Sequence, residues 1–336
     1  MEIPKSTKAW LLPAYNFNLI RALISLKIEE IPLKTLAENE VLIEVEAASI
    51  NPSDLAFLQG GYQVVKKLPA VPGFEATGLV IAAGMNQRLL IGKKVSCFSQ
   101  DEYGGTWAKH LITSADNCII IDDSLSLYQA ATLAINPLTA IGMMEMAETQ
   151  KPEALLINAA GGVVPALLRL LAEKANLPTI NIFRKKAQAD ALSNSSFHFS
   201  LCSADESFEE DLKIILSKYK SICAFDAVGG SQSGLIFNYL PSNSQLIVYG
   251  GLSNENIGDI DVLQMIFQNK KIVGFNLNDY IRNGNMDLNR KKVLDLITET
   301  KFQSSVQAEF DFEDLVKAIR TYIKNMSAGK VLIKMK

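Results

Sequence analysis

Leu155-Leu156-Ile157-Asn158-Ala159-Ala160-Gly161-Gly162-Val163-Val164-Pro165 is the stretch on which the fold turns. A short apolar run leads into paired glycines. Residues 165–175 then place apolar side chains at helical spacing, with Pro165 suited to a first turn. The segment therefore reads as strand, tight turn and helix. At such a junction backbone N–H groups and the positive helix end can hold a pyrophosphate, provided no side chain blocks the approach. A glycine pair alone fits a simple tight turn equally well, so the flanking segments decide.

Apolar runs at residues 154–159, 179–183, 222–228, 245–249 and 271–277 alternate with helical patterns, beginning with a helix through residues 130–146. That rhythm predicts a doubly wound parallel sheet with right-handed crossovers, an α/β architecture. The second run ends in Arg184-Lys185-Lys186, about 20 residues past the glycines, where an acid selects NAD by accepting from the ribose 2′-hydroxyl. An Arg there can instead pair with the 2′-phosphate of NADP. Three cations and no acid favour NADPH, with a solvated basic turn as the plain alternative.

The first third has a different texture. Residues 40–48 alternate apolar and polar side chains, and residues 78–82, 94–98 and 117–121 look similar. Short strands punctuated by Gly, Pro and Asp favour a small barrel or sandwich. A helix near residues 311–325 and a strand at 330–335 break the later rhythm and are expected to return to this first domain. The 336 residues suggest two domains, at about 150 residues each. With 33 Lys plus Arg against 36 Asp plus Glu, the net charge of -3 offers no field for a phosphate backbone, so nucleic acid is excluded as the main partner. No run reaches the roughly 20 apolar residues that cross a bilayer. Pro4 and Pro13 interrupt the N-terminal apolar residues, so a cytoplasmic protein without membrane insertion is expected. Cys97, Cys118, Cys202 and Cys223 form no C-x-x-C pair, which argues against disulfides and thiolate metal cages.

Further motifs follow in order: Asn51-Pro52-Ser53-Asp54, the segment 68–78 containing Pro72-Gly73-Phe74-Glu75, Gly104-Gly105-Thr106-Trp107-Ala108, and Asn136-Pro137-Leu138-Thr139-Ala140. After the glycine turn come Asp226-Ala227-Val228-Gly229-Gly230, Tyr249-Gly250-Gly251 and Gly329-Lys330-Val331-Leu332. Together they resemble the medium-chain dehydrogenase/reductase superfamily, in its zinc-free quinone oxidoreductase and 2-enoyl thioester reductase branch. The resemblance implies a GroES-like β-rich catalytic domain from residues 1–124 and 282–336, with a Rossmann NADPH-binding domain at 125–281. It also implies a homodimer joined through exposed sheet edges, with residues 271–277 as the candidate edge. Where zinc-dependent relatives place Cys and His ligands, this chain has Asn51 and Phe74, and it holds only two histidines, His110 and His198. No metal is expected.

Without a Lewis acid, reduction of a carbonyl lacks its usual stabilisation of the alkoxide. Conjugate reduction is easier, because hydride goes to the β-carbon of an activated alkene and the enolate then needs hydrogen bonds and a proton. The resemblance assigns that proton to Tyr62, in Leu58-Gln59-Gly60-Gly61-Tyr62, and sets Asn51 and Thr139 to position donor or substrate. Each has a plainer reading: Tyr62 as a hydrophobic lid, Asn51 as a turn residue before Pro52, Thr139 bonding locally to backbone. For the cofactor the resemblance implies Gly161, Gly162 and Val163 at the pyrophosphate, and Arg184 and Lys185 at the 2′-phosphate. Tyr249, Gly250, Gly251 and Phe275 would form the far wall, with Lys330 reaching a phosphate; a strand-end turn, a core Phe and a surface Lys are the ordinary alternatives. Val164 replaces a family glycine that permits close helix-to-strand packing, and Asn276 stands where enoyl thioester reductases often have Trp. Three functions are therefore in view. The first is a zinc-independent NADPH-dependent oxidoreductase acting on a small-molecule quinone, enone or enoyl thioester. The second is a dinucleotide-binding protein with little turnover, and the third a zinc-dependent alcohol dehydrogenase.

Overall fold

The computed structural model of the chain describes residues 3–62, 64–100, 104–122, 125–192 and 197–335. Two units emerge: Met1–Ile135 with Gln303–Lys336, and Asn136–Phe302.

The first unit is built from β1 (Ser6–Leu11), β2 (Lys27–Pro32), β3 (Glu40–Ser49), β4 (Glu75–Ala83), β5 (Lys94–Phe98), β6 (His110–Ser114) and β7 (Cys118–Ile120). Strand β3 is central, antiparallel to both β4 and β6. Its Val41, Ile43 and Val45 enter the main core, but Leu42 and Ala47 on the opposite face are buried as well. The period-two pattern is therefore weaker than in a half-exposed strand. Around this sheet the largest fully buried side chains include Trp107, Phe57, Phe74 and Phe312.

The second unit carries β8 (Ala154–Ile157), β9 (Thr179–Phe183), β10 (His198–Cys202), β11 (Ile222–Asp226), β12 (Gln245–Val248) and β13 (Lys271–Gly274). All pair in parallel, in the order β10-β9-β8-β11-β12-β13. This is the doubly wound Rossmann order, whose direction reverses between β8 and β11. Every residue of β8, β9 and β11 is buried, which is why each stands out as a continuous apolar run. Strand β10 was not expected, because His198 and Ser200 dilute its apolar content. The helix expected at residues 130–146 is instead a short helix, Leu127–Ala130, and a longer one, Ile135–Glu148. Ser126 caps the short helix by accepting from the Gln129 N–H.

The chain then returns to the first unit through β14 (Val306–Asp311), the helix Leu315–Lys324 and β15 (Lys330–Lys334). Strand β15 lies antiparallel to β3, with Leu332 opposite Ser49. The helix buries Leu315, Ala318, Ile319 and Tyr322, a single apolar stripe. Phe312 anchors the segment: the Trp10 indole N–H donates to its carbonyl at 2.8 Å and the rings lie 6.2 Å apart.

The boundaries differ from the expected 124/125 and 281/282 for identifiable reasons. Leu127, Tyr128 and Ala131 pack with Ala47 and Leu332, which keeps that helix in the first unit. At the other end Tyr280 bonds both Glu145 and Asn289, and Lys292 pairs with Glu145 at 2.6 Å, which holds residues beyond 281 in the second. All four cysteines are buried. Among the described residues no helix is long and apolar enough to cross a membrane.

Because Phe312 is fully buried, Phe312→Ala should destabilise the protein by about 3–5 kcal/mol. Chemical denaturation checks this, and a loss under about 1 kcal/mol would show that the returning segment is not locked into the core.

Candidate active site

In the first unit the polar centre is Glu75, at the start of β4 and fully buried. Its Oε1 accepts the N–H groups of Ala134 (3.0 Å) and Ile135 (2.8 Å). Its Oε2 accepts the Ser49 hydroxyl at 2.7 Å and the Asn51 amide at 3.1 Å. The Lys330 ammonium stands 3.8 Å from the same oxygen and donates to Asn51 Oδ1. Burial depresses the Lys330 pKa, while Glu75 and Asp54 hold it up. Lys330 is thus neither a surface lysine nor directed at a phosphate; its charge is spent on Asn51 and Glu75. Asn51, joined to Lys330 as the sequence did not foresee, has its side chain committed to Glu75, Ser49 and Lys330.

Asn51 lies just beyond β3 and precedes Pro52, which opens the helix Pro52–Leu58, and Asp54 Oδ2 accepts the Asn51 N–H at 2.7 Å. Asp54 is fully buried, and its Oδ1 has no partner among the described residues. Burial pushes its carboxyl up to about 7, opposed by the Asn51 N–H and by Lys330 and Lys66, and reinforced by Glu75.

Tyr62 is half-buried, its ring tilted on Phe74 at 5.4 Å. Gln100 Nε2 donates to its hydroxyl oxygen at 3.1 Å. Burial raises the phenol's pKa, the Asp54 charge adds to that, and the Gln100 bond works against it. The phenol therefore holds its proton at neutral pH. Phe74 is fully buried and apolar. Among the described residues no group of three His, Cys, Asp or Glu side chains is placed to hold a metal ion.

The second unit builds the glycine turn at the reversal between β8 and β11. Asn158, just past β8, donates to Asp226 and accepts the Ala227 N–H at 2.8 Å. Asp226 also accepts from the N–H groups of Val228 (2.9 Å) and Gly229 (3.2 Å) and from the Ser233 hydroxyl. Ala159 adopts a left-handed φ of 46°. The Ala160 N–H donates to Ile182 O, and the Gly162 N–H to Ala159 O, each at 3.0 Å. The helix Val163–Lys174 starts there, with Gly162 before its first residue. First-turn N–H groups have no acceptor within a helix, so those of Val163 and Val164 are available to an anion. A Cβ on Gly161 would sit 3.0 Å from the Gln188 amide. Val164, which stands where the family has a close-packing glycine, is half-buried and lies outside the buried helix set of Pro165, Leu167, Leu168 and Ala172.

Arg184 and Lys185 follow β9 and are exposed, while Lys186 pairs with Asp205 at 2.6 Å. The Tyr249 N–H donates to Asp226 O at 2.9 Å, and a Cβ on Gly250 would meet the Ala227 carbonyl oxygen at 2.8 Å. Only glycine allows that backbone approach. Gly251 faces open space. Phe275 lies against Gly142, where a Cβ would meet the ring at 2.8 Å. Thr139 is half-buried on the same helix, one turn before Gly142 and so on the same face. Asn276 accepts the Asn278 N–H at 2.9 Å and caps the helix Leu277–Asn283. The turn, the helix end and the glycine-lined wall fit a nicotinamide dinucleotide. Glu75, Asp54, Gln100 and Gly142 went unassigned in the sequence, although Glu75 and Asp54 each stand inside one of its motifs.

Residues 37–123 match the Alcohol dehydrogenase GroES-like domain family. A mitochondrial enoyl-[acyl-carrier-protein] reductase of Caenorhabditis elegans is 30% identical over 258 residues, 74% of this chain and 73% of the relative. The Rattus norvegicus protein of that name is 26% identical over 325 residues, 92% and 85% of the two chains. The crystal structure of a candidate NADPH:quinone reductase from Mesorhizobium loti matches with a TM-score of 0.89 and 26% identity, covering 100% of both chains.

A buried carboxyl raised from 3.8 to about 7 keeps a proton that the unfolded chain releases. Its neutral form is fully accommodated at low pH, and stability falls as pH climbs across that window, by up to about 4 kcal/mol. Asp54→Asn keeps an acceptor for the Asn51 N–H and cannot ionise, so its stability should vary less between those pH values. Parallel wild-type and variant curves in pH-dependent denaturation would refute the shift.

Proposed function

The chain belongs to the medium-chain dehydrogenase/reductase superfamily, and on that premise we propose that it is a zinc-independent, NADPH-dependent oxidoreductase reducing a quinone or an α,β-unsaturated carbonyl compound, enone or enoyl thioester. The observation that carries this reading is the Gly161–Gly162 turn at a helix N-terminus where the sheet order reverses. A nicotinamide dinucleotide with its pyrophosphate at that turn would supply hydride. Gly161, Gly162 and the N–H groups of Val163 and Val164 hold the pyrophosphate, and Gly250 lets backbone replace side chain along the far wall.

Tyr62 gives its phenolic proton to the enolate or holds the enolate oxygen. Its elevated pKa keeps that proton in place until charge develops on the substrate, and the Gln100 bond orients the hydroxyl. Asn51 acts through Lys330 and Glu75 as a positioning residue, and Thr139 orients substrate from its helix. Zinc independence is supported by the apolar Phe74 and the committed Asn51 amide at the two positions that match metal ligands in relatives. Relatives named as enoyl reductases and as a quinone reductase support both substrate classes.

The test is oxidation of NADPH by chelator-treated protein with quinones, enones and enoyl thioesters. No oxidation with any of them would reduce the protein to a dinucleotide binder. With an alkene substrate, Tyr62→Phe should lower kcat by roughly 10²-fold or more while NADPH affinity holds. Full turnover in that variant would make Tyr62 a lid and leave quinone reduction favoured. Arg184 supplies the fork for a 2′-phosphate, so wild type should bind NADPH more tightly than NADH, and Arg184→Glu should reverse or abolish the preference. Equal wild-type affinities in a fluorescence titration would reject the NADPH assignment.

A further inference from the structure

Arg169 lies on the helix that begins at the glycine turn, half-buried, a charged side chain that neither the pyrophosphate contacts nor the 2′-phosphate site uses. Its Nη1 donates to the Ala160 carbonyl at 2.9 Å and to Asn181 Oδ1 at 3.3 Å. Ala160 immediately precedes Gly161, and its own N–H is tied to Ile182 O of β9 at 3.0 Å. Both polar groups of that peptide position are therefore fixed.

Arg169 is itself held by a chain of polar side chains. Asn181 is fully buried and donates to Thr179 Oγ1 at 2.8 Å and to Phe199 O at 3.2 Å. Thr179 Oγ1 bonds His198 Nδ1 at 2.8 Å, and His198 Nε2 meets Glu173 at 2.8 Å. Glu173 lies one helical turn beyond Arg169 and favours its charged form, against the burial that disfavours it. A guanidinium stays protonated under such conditions.

A half-buried cation is costly to hold unless its charge is used. A neutral donor would satisfy the Ala160 carbonyl equally well. We propose that Arg169 is a positioning residue for the dinucleotide pyrophosphate: it sets the Ala160 carbonyl so that the N–H groups of Gly161, Val163 and Val164 turn outward, and it adds a fixed positive charge to the anion site. Arg169 thereby supplements the helix end, whose third position, Pro165, has no N–H to offer. This inference rests on the dinucleotide reading above.

The experiment titrates NADPH by fluorescence against wild type, Arg169→Gln and Arg169→Lys, with melting curves for each and the salt dependence of each Kd. Glutamine keeps a donor and loses the charge; lysine keeps the charge and loses the fork. Arg169→Gln should bind NADPH about 10-fold more weakly and with a flatter salt dependence, while Arg169→Lys stays near wild type and both retain a wild-type Tm. Equal affinity in wild type and Arg169→Gln, or equal losses in both variants, would overturn the proposal while leaving the dinucleotide reading intact. Wild type that binds neither NADPH nor NADH would reject that reading, and the role of Arg169 with it.

Discussion

The first unit depends on one buried carboxylate. Taking Glu75 out of water is unfavourable unless every lone pair is met and a countercharge stands near. Ser49, Asn51, Ala134 and Ile135 meet the lone pairs, and Lys330 supplies the charge. These donors come from the end of β3, the turn before Pro52, the start of a helix and the last strand. One side chain thus fixes where four segments end or begin. Asp54 takes its electrostatic setting first from burial and then in part from that cluster, through the Asn51 N–H, Lys330 and Glu75; Tyr62 takes its own from burial, Gln100 and Asp54.

The second unit solves a different problem by the same means. A parallel sheet leaves polar backbone at the strand ends where the order reverses, and a ligand can bind there only if the loops are held open. Asn158 and Asp226 do this by taking up the N–H groups of Ala227, Val228 and Gly229, so the loop after β11 cannot collapse onto the glycine turn. Gly250 and Gly142 contribute by having no side chain: one admits the Ala227 backbone, the other the Phe275 ring.

What could be read from sequence follows from these physical causes. Strands buried on both faces, β8, β9 and β11, announce themselves as apolar runs. Strands β6 and β10 open on His and carry Ser or Thr, so their apolar density is too low to stand out. Tyr62 was visible because a glycine loop frames it, whereas its partner Gln100 lies 38 residues away. Asn51 and Lys330 were both singled out, but not their union, because Lys330 is 279 residues from Asn51. A buried ionic cluster is defined by its donors, and no local pattern marks donors so far apart.

The burial of the four cysteines bears on the protein's own survival. Quinones and activated alkenes are electrophiles that add to thiolates, the reactive form of cysteine. Burial and the neighbouring Cys118 and Glu75 charges drive the Cys97 thiol well above its ordinary range, and burial pushes Cys223 up to about 12. Shielded and protonated, Cys97 and Cys223 are poor targets for such addition, so under the proposed function they would survive repeated contact with electrophilic substrates.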